Sequence, residues 1–143
     1  MLEVDVVRIS VIVPIYNVKL YIERCVRSLM EQTLENIEFI FVNDCTPDDS
    51  MDILPYVLAE YPKRREQIKI IEHETNRGIS AVRNTGLKNA TGQYIIYCDS
   101  DDWVEKNMYE KLLVKALETS ADIVGCDFFD DYVAHSTIRK QLF

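Results

Sequence analysis

The stretch NRGISAVRNTGLKNATGQYIIYCDSDD, from Asn76 to Asp102, combines a helical pattern, a turn, a strand and an acidic strand end. The predicted helix spans Ile79–Ala90, and Thr91-Gly92 ends it because glycine commonly follows the last helical turn. The residues Gln93–Cys98 (QYIIYC) are β-branched and aromatic, which predicts a strand. That strand runs directly into the acidic residues Asp99–Asp102.

The same alternation continues on both sides of this stretch. It predicts strands at Arg8–Val13, Ile37–Val42, Gln67–Glu72 and Ala121–Phe129. It also predicts three helices: the first at Leu20–Glu31, the second from a cap at Asp48, Asp49 or Ser50 to about Tyr61, and the third at Lys106–Thr119. Pro55 indicates a kink or a late start in the second helix. Alternating strands and helices predict an α/β fold, a Rossmann-like, mostly parallel sheet with helices on both faces. The length of 143 residues fits one domain, residues 1–143.

Composition excludes several classes of protein. The net charge of −8 argues against nucleic-acid binding, which needs a stripe of Lys and Arg. No apolar run approaches the about 20 residues of a membrane span. Glu3 and Asp5 lie where a secretory signal would carry positive charge, so we expect a cytoplasmic chain. A membrane anchor outside it would place the full-length protein peripherally at the inner face of the membrane.

Polar residues collect at the carboxyl ends of three predicted strands. They are Pro14–Asn17 after the first, Asn43-Asp44 after the second and Asp99–Asp102 after the fourth. Ligands of open α/β sheets bind beside these ends. We therefore expect one site built from residues far apart in the sequence.

The acidic cluster has two readings. Asp99 and Asp101 are two residues apart and point the same way from an extended strand end, as ligands of Mg²⁺ or Mn²⁺ would. Alternatively, Ser100, Asp101 and Asp102 cap the helix that follows. Taken alone, the cluster favours neither reading.

The other candidates also carry alternatives. Arg83 can pair with a phosphate or with the acidic cluster, or it can be a structural ion-pair partner of an acidic residue. Asp44 can accept a hydrogen bond from an imide N–H or a ribose hydroxyl, or it can be a turn residue. Tyr16 can pack against a base or be half-buried in its loop. Trp103, the single tryptophan, is expected in the core.

Three segments together resemble the family 2 glycosyltransferases, which have the GT-A fold. They are ISVIVPIYN at Ile9–Asn17, IEFIFVND at Ile37–Asp44 and the Asn76–Asp102 stretch, which contains the D-x-D-D pattern. Their order and spacing match the family pattern from Arg8 to about Phe129. Val82 departs from it, because the family usually has alanine before the Arg-Asn pair.

The resemblance implies roles for individual residues. Pro14, Tyr16 and Asn17 line the nucleotide pocket, and Asp44 reads the base. Arg83 and Ser100 lie near the donor. Asp101 is the direct ligand of a divalent cation, Mg²⁺ or Mn²⁺, and Asp99 contacts the ribose or the metal-bound waters. The acidic residues form the family's DXD motif.

The resemblance also implies a reaction, the metal-dependent transfer of a sugar from a nucleotide diphosphate, expected to be a UDP-sugar. The acceptor is a glycan or other hydroxyl, configuration is inverted, and cell-surface polysaccharide synthesis is the expected setting. The family's catalytic base follows later, so we expect this chain to end before the acceptor subdomain. Asp127, Asp130 and Asp131 match no motif and are interpreted as a solvated acidic loop.

Two other functions were weighed. A non-catalytic nucleotide-binding or assembly module stays open as an alternative. A sugar nucleotidyltransferase is disfavoured because its Gly-rich loop after the first strand is replaced here by PIYN, residues 14–17.

Overall fold

The computed structural model describes residues 7–132 and 135–139. Its elements, in chain order, are β1 (Ile9–Ile15), α1 (Ile22–Met30), β2 (Ile37–Asn43), α2 (Ser50–Leu58), a 3-10 helix (Pro62–Gln67), β3 (Ile68–Glu72), α3 (Ile79–Asn89), β4 (Tyr94–Tyr97), α4 (Met108–Thr119), β5 (Phe128–Tyr132) and β6 (His135–Arg139). The first four predicted strands and all four predicted helices are confirmed, with ends shifted by at most three residues. The late start predicted for α2 is wrong, because this helix begins five residues before Pro55.

The main sheet has four parallel strands in the order β3-β2-β1-β4. Ile9 on β1 lies opposite Ile37 on β2 and Tyr94 on β4. Every residue of β1 and β2 is buried, as expected for central strands covered on both faces. The parallel arrangement brings the carboxyl ends of all four strands to one edge.

Helices cover both faces of this sheet. The larger core joins one face to side chains of α1, α2 and α4, including Leu29, Leu54 and Tyr109. The other face packs Ile40 and Val42 against α3. A Cβ atom at Gly86 on α3 would lie 2.3 Å from a side-chain carbon of Ile12, so glycine lets α3 approach β1 closely. The predicted mostly parallel α/β architecture is confirmed.

The strand predicted at Ala121–Phe129 is wrong. Residues 121–127 form no regular element, and Ile123 is 87% exposed. Strand β5 begins at Phe128 and pairs antiparallel with β6, in a sheet separate from the main one. The apolar pattern predicts a buried strand, but a strand forms only where a partner is available, and here that partner is the next segment of the chain.

Within residues 7–132 and 135–139, no helix is both long enough and apolar enough to cross a membrane.

Candidate functional site

A cleft of about 300 Å³ lies at the carboxyl ends of β1 and β2, beside the start of α3. It is lined by Pro14, Ile15, Tyr16, Asp44, Asn76, Gly78, Ile79 and Val82. Three of the predicted site residues, Pro14, Tyr16 and Asp44, therefore meet in one cleft. The side of the cleft formed by α3 is apolar, with Ile79 half-exposed.

Asp44 is the buried anionic group of this cleft and is only 3% exposed. Its Oδ1 accepts hydrogen bonds from the backbone N–H of Arg77 (2.9 Å) and from Nδ1 of His73 (2.7 Å). Its Oδ2 accepts one from the backbone N–H of Gly78 (2.8 Å). Burial raises the pKa of Asp44, but the three donors outweigh it, so the pKa lies below its usual range. Asp44 is therefore an ionised acceptor with a fixed orientation.

Gly78 gives the chain its turn into α3. Its φ of 84° lies in the left-handed region, which glycine adopts without strain. The turn aims two successive backbone N–H groups, those of Arg77 and Gly78, at the same carboxylate. The carboxylate of Asp44, at the end of β2, thus compensates the partial positive charge at the N-terminus of α3.

His73 was not predicted from the sequence. It follows β3 directly and its imidazole is 5% exposed, between Asp44 and the hydroxyl of Thr85 on α3 (Nε2 to Oγ1, 2.8 Å). The rule that found the other polar strand ends would also have found His73, since it is the polar residue at the end of the third strand.

The acidic cluster forms a turn that is fastened to β1. The backbone N–H of Asp102 donates to the carbonyl of Asp99 (3.0 Å), and the buried Ser100 hydroxyl donates to the carbonyl of Pro14 (2.5 Å). The helix-cap alternative is wrong, because α4 begins at Met108 with Asn107 as its capping residue. Since the cluster does not cap α4, its composition needs another explanation.

The carboxylates of this turn repel one another. Burial, then the charges of Asp101 and Asp99, raise the pKa of Asp102. A divalent cation would relieve this repulsion, and oxygen ligands suit Mg²⁺ and Mn²⁺. The described residues contain no group of three side chains arranged to hold a metal ion. One or two of these carboxylates could hold such a cation if ligand oxygens completed its shell.

Arg83 connects α3 to this turn. Its guanidinium contacts Oδ1 of Asp99 at 3.2 Å and lies 5.3 Å from the ring centre of Tyr97. About 41% of its side chain is exposed, but its Nε atom is buried and has no hydrogen-bond partner among the described residues. Both readings of Arg83 keep support, since it is ion-paired with Asp99 and the exposed part of its side chain could also meet an anionic ligand.

Asn17 lies outside the residues that line the cleft. Its backbone has a left-handed φ of 54°, and its N–H donates to the hydroxyl of Thr46 (2.9 Å). Asp48 binds the same hydroxyl and the backbone N–H of Lys19, so the loops after β1 and β2 are joined. Asn17 therefore belongs to the hydrogen-bonded connection between the loops after β1 and β2.

Two further expectations are corrected. Trp103 is half-buried rather than in the core, with the guanidinium of Arg24 stacked 4.5 Å from a ring centre. Asp130 and Asp131 belong to β5 and not to a solvated loop, and Asp131 pairs with Arg24 at 2.9 Å. The sequence shows none of these long-range partners, and Arg24 is 107 residues from Asp131.

Comparison with known proteins agrees with the fold. The profile of glycosyl transferase family 2 matches residues 10–142, and this chain belongs to that family. The "uncharacterized glycosyltransferase EpsJ" of Bacillus subtilis (strain 168) is 47% identical over 121 residues, which are 85% of this chain and 34% of EpsJ. The "putative teichuronic acid biosynthesis glycosyltransferase TuaG" of the same organism is 39% identical over 78% of this chain and 43% of TuaG.

Solved structures show the same fold. The structure of S. aureus TarS 1-349 in complex with UDP has a TM-score of 0.70 and 32% identity, over 80% of this chain and 33% of that one. Mannosyltransferase PcManGT from Pyrobaculum calidifontis, in complex with GDP-Man and Mn2+, has a TM-score of 0.68 and 26% identity, over 80% and 32%. The expected GT-A fold is thereby confirmed. The chain spans about a third of the length of EpsJ and TarS 1-349.

Proposed function

We propose that this chain binds the nucleotide-sugar donor of an inverting, metal-dependent glycosyltransferase that uses a UDP-sugar. The proposal rests on the cleft that contains the buried Asp44. This cleft lies at the carboxyl edge of the sheet, and the acidic turn is fastened to the same edge. The UDP and GDP-Man complexes of the two structural neighbours support a nucleotide-sugar site. The teichuronic acid biosynthesis named for TuaG supports an acceptor in cell-surface glycan synthesis.

The hydrogen bonds of Asp44 favour uracil over guanine. A carboxylate oxygen accepts about two hydrogen bonds. Among the described residues, Oδ1 already accepts two and Oδ2 accepts one. One acceptor position remains, which suits the single imide N–H of uracil. Guanine presents two neighbouring donor groups, and one of them would be left unpaired at a cost of about 1–3 kcal/mol. Tyr16, 44% exposed at the cleft, can pack against the flat base.

The diphosphate is proposed to lie between Arg83 and the acidic turn. The partly exposed, positively charged side chain of Arg83 supports an anion there, and the mutual repulsion of Asp99, Asp101 and Asp102 supports a cation. Asp101 is proposed as the direct metal ligand and Asp99 as its neighbour, with Ser100 holding both in place. When bound, Mg²⁺ or Mn²⁺ would supply positive charge against the negative charge that develops on the leaving diphosphate.

Transfer also needs a base. A carboxylate would remove the proton of the acceptor hydroxyl as its oxygen attacks the anomeric carbon opposite the departing diphosphate, which inverts the configuration. No residue of this chain matches a motif for that base. We propose that the base lies outside this chain, in the part of the relatives that the chain does not span.

Calorimetry tests the donor site directly. We expect UDP to bind in the presence of Mn²⁺ at least about tenfold more tightly than GDP, which is the cost of one unpaired donor. One or two carboxylates hold Mg²⁺ or Mn²⁺ poorly without phosphate oxygens, so we expect the metal and the diphosphate to bind together. Removing the metal with a chelator should therefore weaken UDP binding sharply. Equal affinity with and without metal would reject the role of the acidic turn, and failure to bind UDP would reject the donor site.

A transfer assay tests the missing base. The chain is incubated with labelled UDP-sugars and a panel of hydroxyl acceptors, and we expect donor binding without efficient transfer. Efficient transfer by this chain alone would contradict the proposal about the base. Asp127, Asp130 and Asp131 would then be the residues to replace.

A further inference from the structure

His73 lies at the junction of three elements of the donor cleft. Its backbone N–H donates to the carbonyl of Asn43 (2.9 Å), which extends the pairing of β2 and β3 by one residue. Its imidazole contacts Asp44 with one nitrogen (2.7 Å) and Thr85 with the other (2.8 Å). The ring thus connects the end of β2 to α3, and both its nitrogens are engaged.

The partners of the ring determine where its proton lies. An ionised carboxylate only accepts hydrogen bonds, so Nδ1 must carry a proton to lie 2.7 Å from Oδ1 of Asp44. In a neutral ring Nε2 is then an acceptor, and the hydroxyl of Thr85 can rotate to donate to it. The reverse tautomer would place the lone pair of Nδ1 against the carboxylate. Asp44 therefore selects this tautomer, and the hydroxyl of Thr85, which can donate or accept, accommodates it.

We propose that His73 is a positioning residue for donor binding, held in one orientation by its contact with Thr85 so that its Nδ1–H fixes Oδ1 of Asp44 and leaves Oδ2 for the nucleobase. This inference rests on the proposed donor site. The terminal torsion of an aspartate is broad, so a carboxylate without this contact rotates more freely. The backbone donors at Arg77 and Gly78 would still bind it, but its remaining acceptor position would no longer be fixed.

Two matched pairs of variants keep or remove a hydrogen-bonding group at His73 and at Thr85 while a side chain remains at each position. His73→Asn keeps an N–H donor near the position of Nδ1, and His73→Leu removes it. Thr85→Ser keeps the hydroxyl, and Thr85→Val removes it at nearly the same volume. We expect UDP binding to weaken about tenfold in the Leu and Val variants, the effect of one charge-linked hydrogen bond, and to stay within about threefold of wild type in the Asn and Ser variants.

Inorganic diphosphate with Mn²⁺ is the control ligand, because it has no base to contact Asp44. We expect its affinity to be the same for wild type and all four variants. If UDP and diphosphate affinities fall together, the role of His73 is only structural and the proposal is overturned. It is also overturned if His73→Leu binds UDP as tightly as wild type does.

A ¹⁵N spectrum of the imidazole groups reports the tautomer without any ligand. His135 is the only other histidine of the sequence, so a His135→Gln variant leaves the signals of His73 alone. For the neutral ring we expect a protonated Nδ1 and an unprotonated Nε2, and a proton on Nε2 instead would overturn the proposal. A wild-type chain with the expected tautomer but no UDP binding would show that the donor site, and not the geometry of His73, was wrongly assigned.

Discussion

The hydroxyl of Ser100 donates a 2.5 Å hydrogen bond to the carbonyl oxygen of Pro14, 86 residues earlier in the chain. The backbone pairing of β4 with β1 ends just before this point, where the N–H of Cys98 donates to the carbonyl of Ile12. The Ser100 side chain continues the connection where the backbone no longer can. This hydrogen bond holds the acidic turn beside the loop that carries Tyr16. It thus connects the part of the proposed site that would hold the metal to the part that would contact the base.

Replacing Ser100 tests this attachment. Ser100→Ala leaves the carbonyl of Pro14 buried without that donor, so we expect the free energy of unfolding to fall by about 1–3 kcal/mol. Urea denaturation followed by circular dichroism measures the change. Ser80 is exposed on α3, and Ser80→Ala should change stability by no more than about 0.5 kcal/mol. Equal effects of the two substitutions would contradict the attachment.

The strands and their polar ends were predictable because a buried parallel strand leaves a local signal. A continuous apolar run such as Ile37–Val42 is followed by Asn43-Asp44, and both features are visible within eight residues. This signal places Pro14, Tyr16 and Asp44 at one edge of the sheet from the sequence alone, and they line the same cleft.

What could not be predicted depends on distant partners. The apolar residues after Ala121 resemble a fifth strand, but strand formation depends on an unpaired neighbour, and β5 begins only where β6 can pair with it. Trp103 was placed in the core because tryptophan is usually buried, but its packing depends on Arg24. In both cases the deciding contact is with another element.

The metal role assigned to Asp101 gives a second prediction. Asp101→Asn removes a negative ligand, so the strengthening of UDP binding by Mn²⁺ should be largely lost, and calorimetry with and without the metal measures it. Asp122 is exposed between α4 and β5, and Asp122→Asn changes the net charge equally. We expect Asp122→Asn to keep the metal dependence. Loss in both variants would mean that overall charge, not ligation, produces the effect.

Acid should loosen the loops after β1 and β2 through Asp48. Burial raises the pKa of Asp48, but hydrogen bonds from Ser50, Lys19 and Thr46 lower it from 3.8 to about 2. A group whose pKa is lower in the folded state stabilises the fold above its unfolded pKa and loses that contribution as the pH falls through the folded value. The contribution of Asp48 is therefore present above about pH 4 and decreases towards pH 2.

Thermal unfolding of the wild type and Asp48→Asn across this pH range checks the sign. The difference in midpoint between the two proteins should be largest near neutral pH and shrink as the pH falls towards 2. The carboxylate of Asp49 is 73% exposed and pairs with Lys19 at 3.8 Å, so Asp49→Asn is the control. A difference for Asp48→Asn that grows on acidification would contradict the assignment.

The end of α1 depends on a buried arginine from the 3-10 helix. Arg64 is 7% exposed, and its guanidinium donates to the last backbone carbonyl of α1, that of Met30, and to two carbonyls on the way to β2, those of Gln32 and Leu34. Such carbonyls lack partners within the helix, and a cation at this end also opposes the negative end of the helix dipole. Arg64 thus fixes the path from α1 into the central strand β2.

Arg64→Met keeps much of the apolar stem but removes all the donors, so three carbonyls lose a partner. At about 1 kcal/mol for each hydrogen bond, we expect the free energy of unfolding to fall by about 3 kcal/mol in urea denaturation. Arg64→Lys should lie between Met and wild type, because one ammonium group cannot match the planar fork of the guanidinium. The neighbouring Arg65 is exposed, and Arg65→Met should have little effect. If Arg65→Met were as destabilising as Arg64→Met, loss of charge in this segment would explain both results, and the role of Arg64 as a helix cap would have to be abandoned.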